Sequence, residues 1–507
     1  MARRQASRGT GCGWPGATHE ADQLIDCSVV SEEPLLIADV QARVVAELSR
    51  IAPATEELGA RFAAAGEELA LVGGPVRDAM LGRLHQDLDF ATSARPEVTE
   101  RLLKGWAEAT WDIGRAFGTI GARKGEWQVE ITTYRSEAYD PSSRKPSVEY
   151  GDTLQGDLTR RDFTINSMAL VLPEQRLEDP FHGVVDLANR LLRTPGRPED
   201  SFSDDPLRMM RAARFAAQLG FEVAPEVVAA MRDMAERITI VSAERVRDEL
   251  VKLLMAPDPV PGLRLLVETG LAGHVLPELP ALALERDEHH RHKDVYEHTL
   301  TVLLQSIDLE DRLGGPDFVS RFAALMHDVG KPLTRRFVAG GAVTFHHHDV
   351  VGAKLTRKRM QALRFPKDQI DAVAQLVEQH LRFHGYGAGE WTDSAVRRYV
   401  RDAGDQLDRL HVLTRADCTT RNQRKAERLR RTYDDLEARI ERLSSEEELA
   451  SMRPDLDGNQ IMEILGIGPG REVGEAYKYL LDLRLDRGPM TSDEAKQALL
   501  AWASGRD

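Results

Sequence analysis

From residue 69 to 195 the apolar residues of this chain come in short runs broken by glycine, and from about 196 onward they recur at three- and four-residue steps. ELALVGG, DLDFAT, FGTIGAR, QVEITTYR and TINSMALVL all lie in the first stretch. Short apolar runs with such breaks predict strands of a mixed α/β unit. In the second stretch, DPLRMMRAARFAAQLGF, APEVVAAMRDMAERI and AERVRDELVKLLM gather their apolar residues on one helical face. The fold class is therefore α+β, a small mixed α/β head followed by an elongated all-α body. With 507 residues and roughly 150 residues to a domain, the chain divides into several units. The expected limits are an unstructured tail over 1–34, a head over 35–195 opened by a helix, and a helical neck over 196–280. A histidine-rich helical domain over 281–440 and a helical tail over 441–507, with the turn-rich GIGPGREVG, complete the chain.

Composition narrows the class. No apolar run approaches the roughly 20 residues of a membrane span, and residues 1–30 lack the apolar centre of a signal peptide. Cys12, Cys27 and Cys418 form neither a metal-spaced pair nor a disulfide framework, so a reducing cytoplasm is expected. The net charge of −15 excludes a protein that coats nucleic acid by bulk attraction. Local patches can still meet RNA; one candidate runs from Arg415 to Arg431 and includes Arg421, Arg424, Lys425, Arg428 and Arg430. A solvated helix face explains those residues equally well.

Chemistry enters with two neighbouring motifs, Leu71-Val72-Gly73-Gly74-Pro75-Val76-Arg77-Asp78 and Asp87-Leu88-Asp89. Alternate residues of a strand point the same way, so Asp87 and Asp89 project from one face. Paired carboxylates repel unless cations lie between them, which suits two Mg²⁺ ions. Glu130, in Gln128-Val129-Glu130-Ile131-Thr132, adds a third carboxylate from a later strand. Such a cluster can activate an RNA 3′-hydroxyl and clamp a triphosphate. Gly73 and Gly74, lacking side chains, let backbone N–H groups approach phosphate oxygens.

In this order, strand, glycine pair, helix and strand with its acidic pair resemble the polymerase-β type nucleotidyltransferases. The resemblance sharpens to the bacterial class II CCA-adding enzymes and bacterial poly(A) polymerases. It rests on LVGGPVRDAMLGR (71–83), DLDFAT (87–92), RRDFTINSMAL (160–170), DPFHGVVDL (179–187), DDPLRMMRAARFAAQLGF (204–221) and ERVRDEL (244–250). The resemblance implies tRNA, CTP and ATP as partners, rather than DNA or a membrane. Gly73, Gly74 and Arg77 would meet the triphosphate, Arg161 the incoming nucleotide, and Asp162 and Asn166 its ribose. Asp205 and Arg208, three apart on a helix, would pair with the base edge of C or A in place of a template. Arg211 and Arg214 would follow at three-residue steps and turn toward the phosphates. Many relatives carry Glu-Asp where this chain has Asp204-Asp205; the second acid, the base reader, is kept.

Residues 285–435 hold the ordered set His298, His327-Asp328 and Asp417. Imidazoles and carboxylates are the usual ligands of a hydrolytic divalent metal, either a transition metal or Mg²⁺. The set resembles the HD-type phosphohydrolases, as in the form of this family found in actinobacteria, and the resemblance implies that His348 and His380 serve a second metal. The expected chemistry is attack of water on a phosphoester or 2′,3′-cyclic phosphate. Addition of CCA to tRNA is thus the leading reading. A poly(A) polymerase, a CC- or A-adding partial enzyme, an HD phosphohydrolase with a non-catalytic head, and a non-catalytic RNA-binding protein are the alternatives.

Overall fold

The computed structural model describes residues 37–112, 114–138, 147–151, 153–283, 295–338, 343–386, 391–420, 422–447 and 453–505; the expected tail over 1–34 lies outside them. Helix α1 (Ile37–Ala64) precedes the head and buries Ile51, Leu58 and Phe62 completely. Nine strands follow among the described residues of the head. They are β1 (Leu69–Val72), β2 (Asp87–Thr92), β3 (Ala109–Trp111), β4 (Thr119–Lys124), β5 (Trp127–Thr133), β6 (Arg135–Ala138), β7 (Ser147–Tyr150), β8 (Ala169–Leu172) and β9 (Arg176–Glu178). Seven of them form one sheet in the order β3-β4-β5-β2-β1-β8-β9, and β6 pairs with β7 alone. The strands β3, β6, β7 and β9 were not expected from the pattern. They are short and carry few apolar residues, so their place is set by pairing with neighbours.

The pairing that matters for function is β2 with β5, which run parallel. Its register sets Asp87 against Gln128 and Asp89 against Glu130. Leu88, Phe90, Val129 and Ile131 are buried between them, whereas Asp87, Asp89 and Glu130 point away from the core. A slip of one residue would exchange the two sets, so the buried apolar face locks the carboxylates in place.

Among the described residues, the elements from Pro198 onward are helices apart from short two-residue strands. Helix α2 (Gly74–Met80) belongs to the head, while α3 (Pro198–Asp204), α4 (Leu207–Leu219) and α5 (Ala243–Leu254) build the neck. The helix Val260–Glu268 approaches α4 so closely that a Cβ on Gly262 would lie 2.3 Å from the Ala213 carbonyl oxygen. The body contains α6 (Val295–Ile307), α7 (Phe318–Met326), α8 (His348–Ala362), α9 (Lys367–Gln379), α10 (Leu407–Ala416) and α11 (Gln423–Glu447). One continuous apolar core runs from Ile51 to Leu443 through all these units. The three tail helices, over 458–465, 471–487 and 492–504, close on a separate core of Leu456, Ile461, Ala476, Leu480, Ala495 and Leu499. GIGPG lies between the first two of them, with Gly466 capping the first in a left-handed conformation.

Candidate active sites in the head and the helical body

In the head, Asp89 is open to solvent on one side but sits in a carboxylate-lined floor. Desolvation there, together with Glu130 and Asp87, pushes its carboxyl up to about 6 despite the opposing charge of Arg161. Three mutually repelling carboxylates of this kind are what a divalent cation relieves, so the residues fit Mg²⁺ or a similar hard cation. Directly beside them, Gly73 stands at φ 74° and ψ −130°, a conformation essentially reserved for glycine. A Cβ there would lie 2.7 Å from Arg161 Nη1. Gly73 therefore lets the guanidinium of Arg161 reach the turn after β1. Arg161 is aimed by Asp157, whose Oδ2 accepts from its Nε at 3.2 Å and its Nη2 at 2.9 Å. Asp157 also accepts from Arg160 at 2.9 Å and is buried. Against the cost of burial, the two arginines hold its carboxyl below the usual range.

A cleft of about 500 Å³ opens between head and neck, with Arg135, Arg160, Arg161, Arg197 and Arg208 among its walls. Arg208 reaches it from α4, donating to Ser201 Oγ at 2.8 Å and to the Arg160 carbonyl. Asp205, however, is not on that helix. It is extended at φ −144° and ψ 101°, and α4 starts only at Leu207. Its Oδ1 accepts from the Leu207 N–H at 3.1 Å, and its Oδ2 meets Arg245 Nη2 at 2.7 Å. Asp205 and Arg208 are thus brought together at a helix start, by a cap and not by a shared helical face.

The expected fan of arginines toward the phosphates is likewise replaced by an inward network. Arg77 is buried, giving Nε and Nη2 to Asp78 at 2.9 Å each and Nη1 to Asn166 Oδ1 at 2.7 Å. Asn166 donates to Asp162 Oδ1 at 3.0 Å, and Asp162 Oδ2 accepts from Arg211 Nε at 2.8 Å. Arg211 lies 3.6 Å and Arg214 3.0 Å from carboxylate oxygens of the buried Glu249. Arg214 also packs over the Phe215 ring, 4.3 Å from its centroid. Burial, with Arg211 close by, pulls Arg214 down to about 10. Asp162 pays the same burial cost, yet Arg211 and Asn166 hold its carboxyl well below the usual range. This network joins α2, the RRDFTIN segment, α4 and α5, so it fixes the head on the neck. Arg245 and Glu249, four residues apart in ERVRDEL, supply its far end. The sequence reading gave them no role, although their spacing puts both on one face of α5.

In the body, four imidazoles converge. His327, His348 and His380 each have Nδ1 against a carbonyl oxygen, those of Ala324 at 2.8 Å, Phe345 at 2.7 Å and Val377 at 2.6 Å. His298 Nδ1 faces Thr419 Oγ1 at 3.0 Å. An Nδ1–H fixed on a carbonyl leaves the Nε2 lone pair free to ligate. Among the described residues the buried Nε2 atom of His380 has no hydrogen-bond partner, and those of His327 and His348, also buried, face the Asp328 carboxylate without hydrogen-bond geometry, an expensive state unless a metal takes them. His298, His327 and Asp328 form one group with ligand spacing, and Asp328, His348 and His380 form another. Asp417 Oδ1 stands 3.0 Å from His298 Nε2 and 3.8 Å from His327 Nε2, which places it with the first group. Asp328 faces His298 and His327 with Oδ2 and His348 with Oδ1, at 3.5, 3.2 and 3.3 Å. Its two oxygens are therefore shared between the groups. Burial and His327 push His380 down to about 4, keeping it the neutral imidazole that binds metal. The donor set fits divalent ions, which His298, His327, Asp328 and Asp417 would hold as one group and Asp328, His348 and His380 as another. Lys331, which the sequence reading passed over, sets Nζ 2.5 Å from Asp328 Oδ2.

A mixed sheet presenting three carboxylates beside a glycine turn, joined to a helical neck and a His/Asp domain, defines a nucleotidyltransferase with an appended HD unit. Residues 69–193 match the poly A polymerase head domain, 220–282 the family described as a probable RNA and SrmB-binding site of polymerase A, and 295–422 the HD domain. The chain is 35% identical over 441 residues to the A-adding tRNA nucleotidyltransferase of Deinococcus radiodurans, covering 86% of this chain and 95% of that protein. It is 32% identical over 444 residues to the CC-adding tRNA nucleotidyltransferase of Thermus thermophilus, covering 86% and 94%. The CCA-adding enzyme of Streptococcus suis is 42% identical over 220 residues, 43% of this chain and 53% of that one. The Bacillus stearothermophilus CCA-adding enzyme solved with CTP shares the fold, with a TM-score of 0.62, 24% identity and coverage of 91% and 98%. The chain belongs to the tRNA nucleotidyltransferase and poly(A) polymerase family. No described helix is long and apolar enough to cross a membrane.

Proposed function

We propose that this protein adds and repairs the 3′-terminal CCA of tRNA from CTP and ATP, without a template, in the cytoplasm. The observation that carries the reading is the register of β2 on β5, which gathers Asp87, Asp89 and Glu130 on one face beside Arg161. These three carboxylates would hold two Mg²⁺ ions, which supply activation of the RNA 3′-hydroxyl and neutralisation of the triphosphate. Gly73 and Gly74 give the triphosphate room at the turn, and Arg161, aimed by Asp157, binds it. Asp205 offers an acceptor and Arg208 a donor to the base edge. Both now contact protein groups, Arg245 and Ser201, so base reading exchanges those partners for C or A. Arg77, Asp162, Asn166, Arg211 and Arg214 position this site through the head–neck network, with the limits 35–195, 196–280, 281–440 and 441–507 as working domain bounds. In the body, His298, His327, Asp328 and Asp417 would hold one divalent ion and His348 and His380 a second with Asp328. Bound there, a transition metal or Mg²⁺ supplies an activated water for phosphoester hydrolysis.

A partial enzyme is the second reading. It is favoured because two relatives matched along 86% of this chain are an A-adding and a CC-adding tRNA nucleotidyltransferase. The test supplies tRNA ending before CCA, after C and after CC, with CTP and ATP singly and together, and sequences the products. Completion of CCA on all three ends supports the leading reading. Extension confined to one step moves the chain to the partial class, and oligo(A) on any RNA makes it a poly(A) polymerase.

A further inference from the structure

Between α8 and α9 an arginine stands where the backbone favours glycine. Arg364 follows the last turn of α8 at φ 57°, in the left-handed region, at the position after a helix that most often carries glycine. Other groups fix the turn. The Phe365 N–H donates to the Met360 carbonyl at 3.0 Å, and the Phe365 ring packs against Phe318 and Phe322 of α7, with centroids 5.4 and 5.7 Å away. The side chain of Arg364 reaches the neck instead. Its Nη1 donates to Glu244 Oε1 at 2.6 Å, and its carbonyl oxygen accepts from Arg247 Nη1 at 2.7 Å. Glu244 and Arg247 are three apart near the start of α5 and share a face. Arg245, about 100° further round that helix, meets Asp205 Oδ2 at 2.7 Å. One helix end therefore spans from the HD unit to the carboxylate assigned to base reading.

The two halves of the reader are held differently. Arg208 stands on α4, which the helix Val260–Glu268 backs through the close approach of Gly262 to Ala213. Asp205 precedes α4, with Oδ1 on the cap and Oδ2 on Arg245. C and A present an amino group to an acceptor, whereas U and G present a carbonyl oxygen at the same edge. An amino donor can replace a guanidinium on a carboxylate; a carbonyl oxygen cannot. While Arg245 is held, Asp205 stays in the path of a carbonyl edge and repels it. Freed with its helix end, Asp205 can turn aside and admit the wrong base.

We propose that Arg364 of the HD unit is a positioning residue for nucleotide selection in the head, acting through α5 and Arg245 on Asp205. This rests on the assignment of base reading to Asp205 and Arg208.

The test uses the full-length protein and the tRNA end that it extends, with CTP against UTP and ATP against GTP. It reads the ratio of kcat/KM, correct base over wrong, for each pair. Arg364→Gly removes the side chain but keeps the carbonyl and a residue at ease at this φ, so its thermal midpoint should stay close to that of wild type. The ratio should nevertheless fall about two- to fivefold, the range that an exposed ion pair can supply. Arg364→Glu sets like charges together and should lower the ratio at least as far. Combining Arg364→Glu with Glu244→Arg should restore the wild-type ratio. Asp205→Ala serves as the reference and should lower the ratio most. An unchanged ratio in Arg364→Gly and Arg364→Glu, beside a lowered one in Asp205→Ala, overturns the coupling and leaves a surface ion pair. Failure of the exchanged pair to restore the ratio overturns the route through Glu244. Equal loss of rate on all four nucleotides, with a lowered midpoint, overturns it too, because Arg364 then serves the fold alone. An unchanged ratio in Asp205→Ala refutes base reading at that residue, and the proposal falls with it.

Discussion

Two adjacent glycines should respond very differently to the same methyl group. At Gly73 the backbone sits at φ 74° and ψ −130°, and an added Cβ would come 2.7 Å from Arg161 Nη1. The conformation alone costs an L-residue about 1–3 kcal/mol. The contact is with the end of a long side chain, so the guanidinium moves and the fold survives. Moving it forfeits the aim set by Asp157. Loss of one charged hydrogen bond to a triphosphate is worth about 1.5–3 kcal/mol, or about 10- to 150-fold in kcat/KM at 1.36 kcal/mol per factor of ten. At Gly74 the φ is ordinary and a Cβ would lie 3.7 Å from Arg77 Nη2, a normal van der Waals contact. Since Gly74 opens a helix, Ala there should be neutral or stabilising by up to about 1 kcal/mol. Denaturant unfolding followed by circular dichroism, with steady-state CTP incorporation, measures both quantities for Gly73→Ala and Gly74→Ala. Wild-type kcat/KM in Gly73→Ala, or equal changes in unfolding free energy in the two variants, would refute the close approach of Arg161 and the strained backbone as the reason for the glycine.

Three further outcomes follow from the same geometry. Asp205→Ala or Arg208→Ala should lower the CTP-to-UTP incorporation ratio, since each base-edge pair is worth about 1–3 kcal/mol; a uniform rate loss at constant ratio would make the pair structural. Asp162→Asn leaves Arg211 with only the more distant Glu249 as a charge partner and should destabilise the fold by about 1.5–3 kcal/mol at pH 7. Because the Asp162 carboxyl is held below its ordinary value, its stabilisation is complete above about pH 4 and fades as pH falls further. The variant should therefore show a shallower loss of stability than wild type below pH 4, and parallel curves would contradict the assignment. His327→Ala should abolish cyclic-phosphate hydrolysis and spare most tRNA extension, because no ligand is shared with the head; loss of both activities in a folded variant would show that the histidine cluster supports the head.

The carboxylate face was legible in sequence because alternation along two strands survives any error in their ends. Asp87, Asp89 and Glu130 keep the parity that buries Leu88, Phe90 and Val129. The His/Asp set was legible from residue type and order, though nothing in the sequence reveals that Asp328 serves both ligand groups. Asp205 was misplaced for a local reason that was available in the sequence. The residue before a proline is driven out of the α region, so Pro206 ends any helix through Asp205 and starts α4 after it. Arg211 and Arg214 were read as phosphate-facing because periodicity gives the direction of a side chain but not its partner. Asp162 lies 49 residues from Arg211 along the chain, and Glu249 comes from another helix, so their pairing is tertiary. The short strands β3 and β9 carried no usable period.

The placement of nucleotidyl transfer on β2 and β5 is tested most directly by labelled CTP with tRNA lacking its CCA end. Wild type, Asp87→Ala and Asp89→Ala are assayed side by side at matched folded concentration. Both carboxylates point away from the core, so the variants should unfold within about 0.5 kcal/mol of wild type. Wild type should incorporate label, and each variant should incorporate none above background. Near-normal incorporation by either folded variant would contradict the assignment of the head's chemistry to these carboxylates.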